Sequence, residues 1–345
     1  MAATAGSNGL QPSTSTTTSP EAYKTPSTLL CRWSNATAHS VVPQLARTIT
    51  STLQGQTSSR LQIQLRPFRM LPSSSGAGSS ASSTKQRGRN MYVIRSSTTP
   101  DNVTLFIEDP NAPTRRQRAA TTTTEVQDRD DGNRAHSRWT YVTFGHDPFS
   151  TDDQTHGTPA SGHPSLSLGG AGAAQANQFD LLLQRTLLAQ PQSGSTGDVT
   201  GNSRPTGPGW TPRATAVSLD GFAFSVGTGS GTIGDWDVKV MSVTTKAAAA
   251  GNATKGVLVE ITYLGVPYLP PGSTFTRNFA ASLFPQQALA AGEIDFLTPD
   301  HEGLFEAGIT TLPDTATGEE PGEYEWTDAH SMWSYVQLVK REGLL

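Results

Sequence analysis

Two runs, Asp235-Trp236-Asp237-Val238-Lys239-Val240-Met241-Ser242-Val243 and Gly256-Val257-Leu258-Val259-Glu260-Ile261-Thr262-Tyr263, are the most clearly patterned pair of segments in this chain. In the first, Trp236, Val238 and Val240 alternate with Asp235, Asp237 and Lys239. In the second, Val257, Val259, Ile261 and Tyr263 alternate with Leu258, Glu260 and Thr262. Period-two alternation of β-branched and aromatic residues marks a strand with one face against a core. The connection from Thr244 to Lys255 is small and polar, with Gly251-Asn252 inside it. The expectation is an antiparallel hairpin with a long, mobile loop, placed at the centre of the sheet. Asp235 and Asp237 share a face. They read as a polar outer surface with Lys239 as partner, and a carboxylate dyad is the alternative. Upstream, Gly229-x-Gly231-x-x-Gly234 matches the dinucleotide fingerprint, but that motif needs a helix after it to hold a pyrophosphate. A strand follows here, so the glycines read as a tight turn.

The chain has 345 residues, of which 34% are hydrophobic and 16% charged. The remainder is dominated by small uncharged residues, which bury too little apolar area to offset ordering entropy. The ordered core is therefore expected to be much smaller than the length. A net charge of -4 argues against a surface that coats nucleic acid, though it leaves room for a local basic patch. The single cysteine, Cys31, rules out a disulfide within the chain and points to a reducing compartment. Within an apolar strand it reads as core. Sequons at Asn35, Asn102 and Asn252 come without a secretory signal, and no run approaches a membrane span. The expectation is a soluble intracellular protein.

Residues 1–26 read as a disordered Ser/Thr-rich tail, and 27–345 as one domain interrupted by disordered insertions at 71–90, 110–137, 145–176, 191–211 and 265–325. Within it, Ser27 to Trp33 is expected as a short strand. A helix follows, with Ser40 as N-cap, Pro43 in the first turn, Val42, Leu45, Ala46, Ile49 and Leu53 at helical spacing, and Gly55 at its end. Leu61, Ile63 and Leu65 make a strand closed by Pro67. Met91 to Arg95 and Val103 to Glu108 are two strands joined at Pro100-Asp101-Asn102, and Trp139 to Phe144 is another. Asn177 caps a helix carrying Phe179, Leu182, Leu183 and Leu187. Ala214 to Val226 is a long strand bent at Gly221. Thr327 to Gly343 is a final helix with Met332, Tyr335, Val336 and Val339 as its apolar stripe, and with Lys340 and Arg341 at its negative end. These four stripe residues are the candidate docking or partner-contact surface. The fold class is α+β: a mostly antiparallel β-barrel or strongly curved sheet of about eight strands, flanked by about three helices.

No catalytic constellation stands out. His136, His146, His156 and His163 lack the close pairing of a structural metal site. No nucleophile elbow is present. The basic clusters Lys85 to Arg89 and Arg115-Arg116-Gln117-Arg118 read as solvated loops, with nuclear import or phosphate contact as the alternative. Ser19-Pro20, Thr25-Pro26, Thr99-Pro100 and Thr158-Pro159 have the form of proline-directed phosphorylation sites. No catalytic, cofactor-binding or metal-binding residue is assigned, and no cofactor is expected.

Asn90-Met91-Tyr92-Val93-Ile94, Thr104-Leu105-Phe106-Ile107-Glu108, Asp235-Trp236-Asp237-Val238-Lys239-Val240 and Gly256 to Tyr263 resemble, in order and spacing, strands of the Mediator complex subunit 20 family, the TATA-binding-protein-related factor subunit. The strand–helix–strand before them and the final helix fall where that family has them. The resemblance spans the elements from about Ser27 to Leu345 and leaves out the low-complexity insertions. It implies a barrel flanked by helices, without enzymatic activity, in the nucleus. It implies a head-module subunit that pairs with Mediator subunit 18, is tethered through the C-terminal helix of subunit 8, and serves as a coregulator of RNA polymerase II transcription. No membrane and no direct nucleic-acid contact is expected. The two other readings are a barrel enzyme or small-ligand-binding barrel, and a nucleic-acid-binding barrel using the basic loops.

Overall fold

A computed structural model describes residues 24–70, 87–122, 137–144, 209–227, 235–247, 251–310 and 325–344. The Leu-rich helix expected after Asn177, the glycine run at 229–234, the four histidines from 136 to 163 and the tail up to residue 23 lie outside the described residues.

In chain order the strands are β1 (Thr25–Pro26), β2 (Thr28–Trp33), β3 (Gln56–Met70), β4 (Arg89–Ser96), β5 (Val103–Glu108), β6 (Trp139–Phe144), β7 (Trp210–Pro212), β8 (Thr215–Val226), β9 (Trp236–Ala247), β10 (Gly251–Tyr263), β11 (Tyr268–Leu269) and β12 (Ile294–Leu297). The α-helices are α1 (Ala38–Arg47), α2 (Arg115–Thr122), α3 (Phe275–Leu283), α4 (Gln286–Ala290), α5 (His301–Ala307) and α6 (Asp328–Arg341), and a π-helical turn at Thr48–Thr52 extends α1. The protein is α+β. One sheet runs β12-β2-β10-β9-β8-β3-β4-β5-β6, with β7 added to β3, and every pairing in it is antiparallel. The path is open. No described strand joins β12 to β6, so the expected barrel does not close through backbone pairing. Side chains of α5 and α6 pack between the two ends instead: Leu30 of β2, Trp139 of β6, Leu304 and Trp333 belong to one cluster.

The hairpin β9–β10 sits inside the sheet as its pattern required, pairing Val240 with Val259 and Lys239 with Glu260. Its strands run further than expected. Thr244 to Lys255 is mostly ladder, not loop, with a register shift between Thr254 and Val257. Gly256 sits at that shift with φ 114°, and a Cβ there would press on the carbonyl oxygens of Trp33 and Ser34. Only glycine takes that conformation at such a close approach.

Both faces of the sheet are covered, so the alternate face of the hairpin is not an outer surface. On one side α1, α3 and α4 pack on Val238, Val240, Val257, Val259 and Ile261. On the other, α5 and α6 pack on Met241, Val243, Leu258, Ile63, Leu65, Ile94 and Phe106. A further cluster of Phe68, Met91, Val93, Val103, Leu105 and Trp210 lies across β3, β4, β5 and β7.

Several boundaries differ for local reasons. The cap of α1 is Thr37, not Ser40, and Pro43 lies inside the helix. Gln54, at φ 54°, takes the left-handed position expected of Gly55. Strand β3 passes through Pro67 because β8 pairing ends at Leu65 and β7 pairing begins at Phe68. On that side Pro67 offers only its carbonyl oxygen, to the Arg213 N–H, so its missing N–H costs no ladder bond. Thr25–Pro26, assigned to the tail, pairs with Tyr268–Leu269. Residues 265–310, assigned to an insertion, carry β11, α3, α4, β12 and α5, and 115–122 carries α2. Short elements held by tertiary packing leave little periodicity to read.

Gly221 pairs with Leu61 and Met241 in the middle of β8, where a Cβ would overlap the Val240 carbonyl oxygen. Gly221→Ala is expected to lower unfolding stability by about 3 kcal/mol. Urea denaturation measures this, and a loss under about 0.5 kcal/mol would show that the strand gives way freely.

Candidate functional site

The final helix organises the polar interior. Thr327 caps it, and the Nδ1 atom of His330 accepts the Thr327 backbone N–H at 3.0 Å in a capping box. From there, Met332, Tyr335, Val336 and Val339 all turn into the sheet and are buried. The stripe expected to dock does so within the chain, which leaves these four side chains no exposed face for a partner.

Tyr335 donates its hydroxyl to Glu260 on β10 at 2.5 Å, and Lys239 on β9 donates to the same carboxylate at 2.7 Å. Glu260 is 1% exposed. Burial raises its pKa, but the Lys239 ammonium and the hydrogen bonds outweigh that and hold it below the usual carboxylate range. The same carboxylate, acting on Lys239, pushes the ammonium pKa up. Burial and Glu260 together push the Tyr335 hydroxyl pKa well above its ordinary value. Lys239 thus pairs with Glu260, while Asp237 stands 4.0 Å from it. Burial raises the Asp237 pKa.

Two more ties fasten the end of α6. Arg32 of β2, 1% exposed, donates to both oxygens of Glu342 at 2.5 and 2.7 Å, and to the Val257 and Lys255 carbonyls. Lys340 donates to Glu108 of β5 at 3.0 Å and lies over the Trp139 ring. Trp333 meets Phe106 and Trp139 edge to face, with centroids 5.4 and 4.8 Å apart. One helix is therefore anchored to β2, β5, β6 and β10.

The arrangement is chemically quiet. The Tyr335 hydroxyl is committed to Glu260, and the space beside the triad is only about 20 Å³, lined by Ser96, Asp328, Ser331 and Met332 among others. Cys31 is buried, and burial raises its thiol pKa, which opposes formation of the reactive thiolate. Among the described residues no cluster of three or more His, Cys, Asp or Glu is placed to hold a metal, and no helix is long and apolar enough to cross a membrane. The basic run at 115–118 is not a free loop. It opens α2, where the Arg115 and Arg116 N–H groups donate to Glu306 of α5, the Arg115 side chain lies over Phe305, and Arg116 stands 3.7 Å from Glu302.

A larger opening lies between β2, β12 and α6. It encloses about 250 Å³ and is lined by Leu30, Leu297, Leu338, Trp326 and Trp333, with Thr298, Asp300, Gln337 and Arg341 among its polar residues. Trp333 is 1% exposed, and among the described residues its indole N–H has no hydrogen-bond partner. Of these residues the sequence singled out Arg341, at the negative end of the final helix, and not the cavity it borders. Arg32 and Glu260 had a signal: each is a charge set in an otherwise apolar strand, which burial tolerates only with a partner.

A scan against protein-family models finds no match, and no curated protein matches the chain.

Removing the Glu260 carboxylate leaves the Lys239 ammonium unpaired under α6. Glu260→Ala is expected to cost about 3–5 kcal/mol in urea denaturation, and Glu260→Leu with Lys239→Met to recover most of it. A single-variant loss under about 1 kcal/mol would remove the triad as an anchor. Burial pulls the His330 pKa from 6.5 down to about 4, and its cap contact needs an unprotonated Nδ1. Between those values the unfolded chain binds the proton and the folded chain does not. Stability contributed by His330 is therefore complete above pH 6.5 and falls as pH drops toward 4, by about 3 kcal/mol. His330→Gln, which can keep the capping box, is expected to flatten that part of the stability–pH curve.

Proposed function

We propose that the chain is a non-catalytic subunit of the Mediator head module, of the subunit 20 type, that pairs with Mediator subunit 18. On this reading it acts in the nucleus as a coregulator of RNA polymerase II transcription, with subunit 8 and other head subunits as neighbours. The observation that carries the reading is where the family-like residues lie. Asn90 to Ile94, Thr104 to Glu108, Asp235 to Val240 and Gly256 to Tyr263 fall on β4, β5, β9 and β10 of one antiparallel sheet, under the final helix. The resemblance implies a barrel flanked by helices, and what supports the reading is that these segments meet in one antiparallel sheet, which stays open among the described residues.

In this reading the sheet curves strongly around α6. Six strand spacings separate β2 from β5 along the sheet, roughly 29 Å if flat at about 4.8 Å each. Yet Glu342 reaches Arg32 on β2 while Lys340, two residues away, reaches Glu108 on β5. Two neighbouring side chains span that separation only if the sheet bends toward the helix.

The non-catalytic part is supported by the use of the buried polar groups. Glu260, Lys239, Tyr335, Arg32 and Glu108 are each engaged in holding α6. The backbone N–H groups of Arg115 and Arg116 donate to Glu306 of α5, and the Arg115 side chain lies over Phe305, so this basic run is part of the packed fold.

The test is coexpression of the full chain with Mediator subunit 18. The expected outcome is co-elution as a one-to-one complex on size exclusion, at a salt concentration that abolishes nonspecific charge pairing. Two separately eluting species, or enrichment of the chain outside the nucleus, would overturn the proposal.

A further inference from the structure

The sheet ends at β12, a strand of four residues that pairs with β2 along one edge. Among the described residues nothing pairs with its other edge. A free edge offers backbone N–H and C=O groups to an incoming strand. The chain continues from Leu297 through Thr298 and Pro299 to Asp300, and all four of those residues line the 250 Å³ opening beside α6. The free edge and the cavity are thus one continuous feature, sharing Leu297.

We propose that this end of the sheet is a docking groove for an extended segment of a partner protein. The segment adds to the outer edge of β12, sets one bulky apolar or aromatic side chain into the cavity, and presents an acidic residue to Arg341. This inference stands independently of the Mediator assignment.

Three observations define the occupant. The volume is below the roughly 300–1,000 Å³ of small-molecule sites, yet ample beside the roughly 150 Å³ that holds benzene, so it suits one large side chain. Side chains of an added strand alternate as those of β12 do, and those on the Leu297 side face the cluster containing α6. The walls Leu30, Leu297, Leu338, Trp326 and Trp333 are apolar. The Asp300 carboxylate is already used, accepting the Gly303 N–H at 2.9 Å. Arg341 is exposed on the rim and has no ion-pair partner among the described residues. An acidic residue in the partner complements it.

The competing occupant is the chain's own acidic segment at 311–324, which includes Glu319, Glu320, Glu323 and Tyr324. It rejoins the chain at the Trp326 end of α6. Arg341 stands at the other end, about 20 Å along the helix.

The test uses the full chain labelled with 5-fluorotryptophan, with the Trp326 fluorine signal assigned by Trp326→Phe. The probes are blocked hexapeptides of alternating Thr and Val. Their central residue is Leu, Phe, Tyr or Ala, and the residue two positions further on, which an extended strand returns to the same face, is Asp or Lys. The peptide with Phe or Tyr at the centre and Asp two positions on is expected to shift the Trp326 signal and to bind about tenfold or more tighter than its Ala counterpart. Arg341→Glu, at an exposed position, is expected to invert the preference between Asp and Lys. N-methylation of the peptide backbone is expected to abolish binding. No shift with any peptide, binding indifferent to the central residue, or binding unaffected by N-methylation would each overturn the proposal. Binding that appears only when 311–324 is replaced by a Gly/Ser linker would assign the groove to the chain's own segment and also overturn it.

Discussion

Glu260 is a charge in the middle of an apolar strand, buried under a helix. A carboxylate there is tolerable only while Lys239 and Tyr335 both hold it. That requirement sets the rotation and height of α6, because Tyr335 reaches Glu260 from one face of the helix only. Once Tyr335 is placed, Met332, Val336 and Val339 fall on the sheet, Trp333 falls against Phe106 and Trp139, and Lys340 and Glu342 fall beside Glu108 and Arg32. The apolar contacts supply most of the attraction between helix and sheet. The buried charges select one docking among the several that a greasy stripe would accept.

The same pairing commits the polar groups beneath α6 to one another. A general acid or a nucleophile needs an uncommitted group beside room for a substrate. Around Glu260 the groups are paired and the adjoining space is about 20 Å³. Roomier ground lies at the margin, where β12 has an edge unpaired among the described residues and the helix stands off the sheet enough to enclose about 250 Å³. An unpaired edge beside an opening of that size is suited to an added strand of polypeptide.

Legibility in the sequence followed the length and regularity of each element. Trp139–Phe144 and Val103–Glu108 were readable to the residue, and Thr28–Trp33, Thr215–Val226 and the final helix nearly so, because each carries several turns or repeats of an unambiguous apolar pattern. Gly251 to Lys255 and Gln56 to Arg60 carry no strand pattern of their own. These residues are small and polar, yet their neighbours supply a ladder that their own propensities do not request. The elements of 268–307 were missed because none exceeds nine residues. The stripe Met332, Tyr335, Val336 and Val339 was legible, but not the partner it meets. The cavity was not legible at all, since Leu30, Leu297, Trp326 and Trp333 come together from distant parts of the chain.

The sequence by itself determined that this is an α+β protein with a mostly antiparallel sheet, that β9 and β10 are adjacent and central, and that the last helix has one apolar side. Those properties are local: periodicity, turn chemistry and capping act over a handful of residues. Only the tertiary structure decided that both faces of the hairpin are covered and that Lys239 and Glu260 lie under α6, with Asp237 half-buried beside them. It also decided that the sheet stays open and that an unpaired edge adjoins an opening. Period-two alternation reports that the two faces of a strand differ, but not what lies over the polar one. That depends on where a helix more than sixty residues further along the chain comes to rest, and its resting place is set by the partners of Glu260 and Arg32.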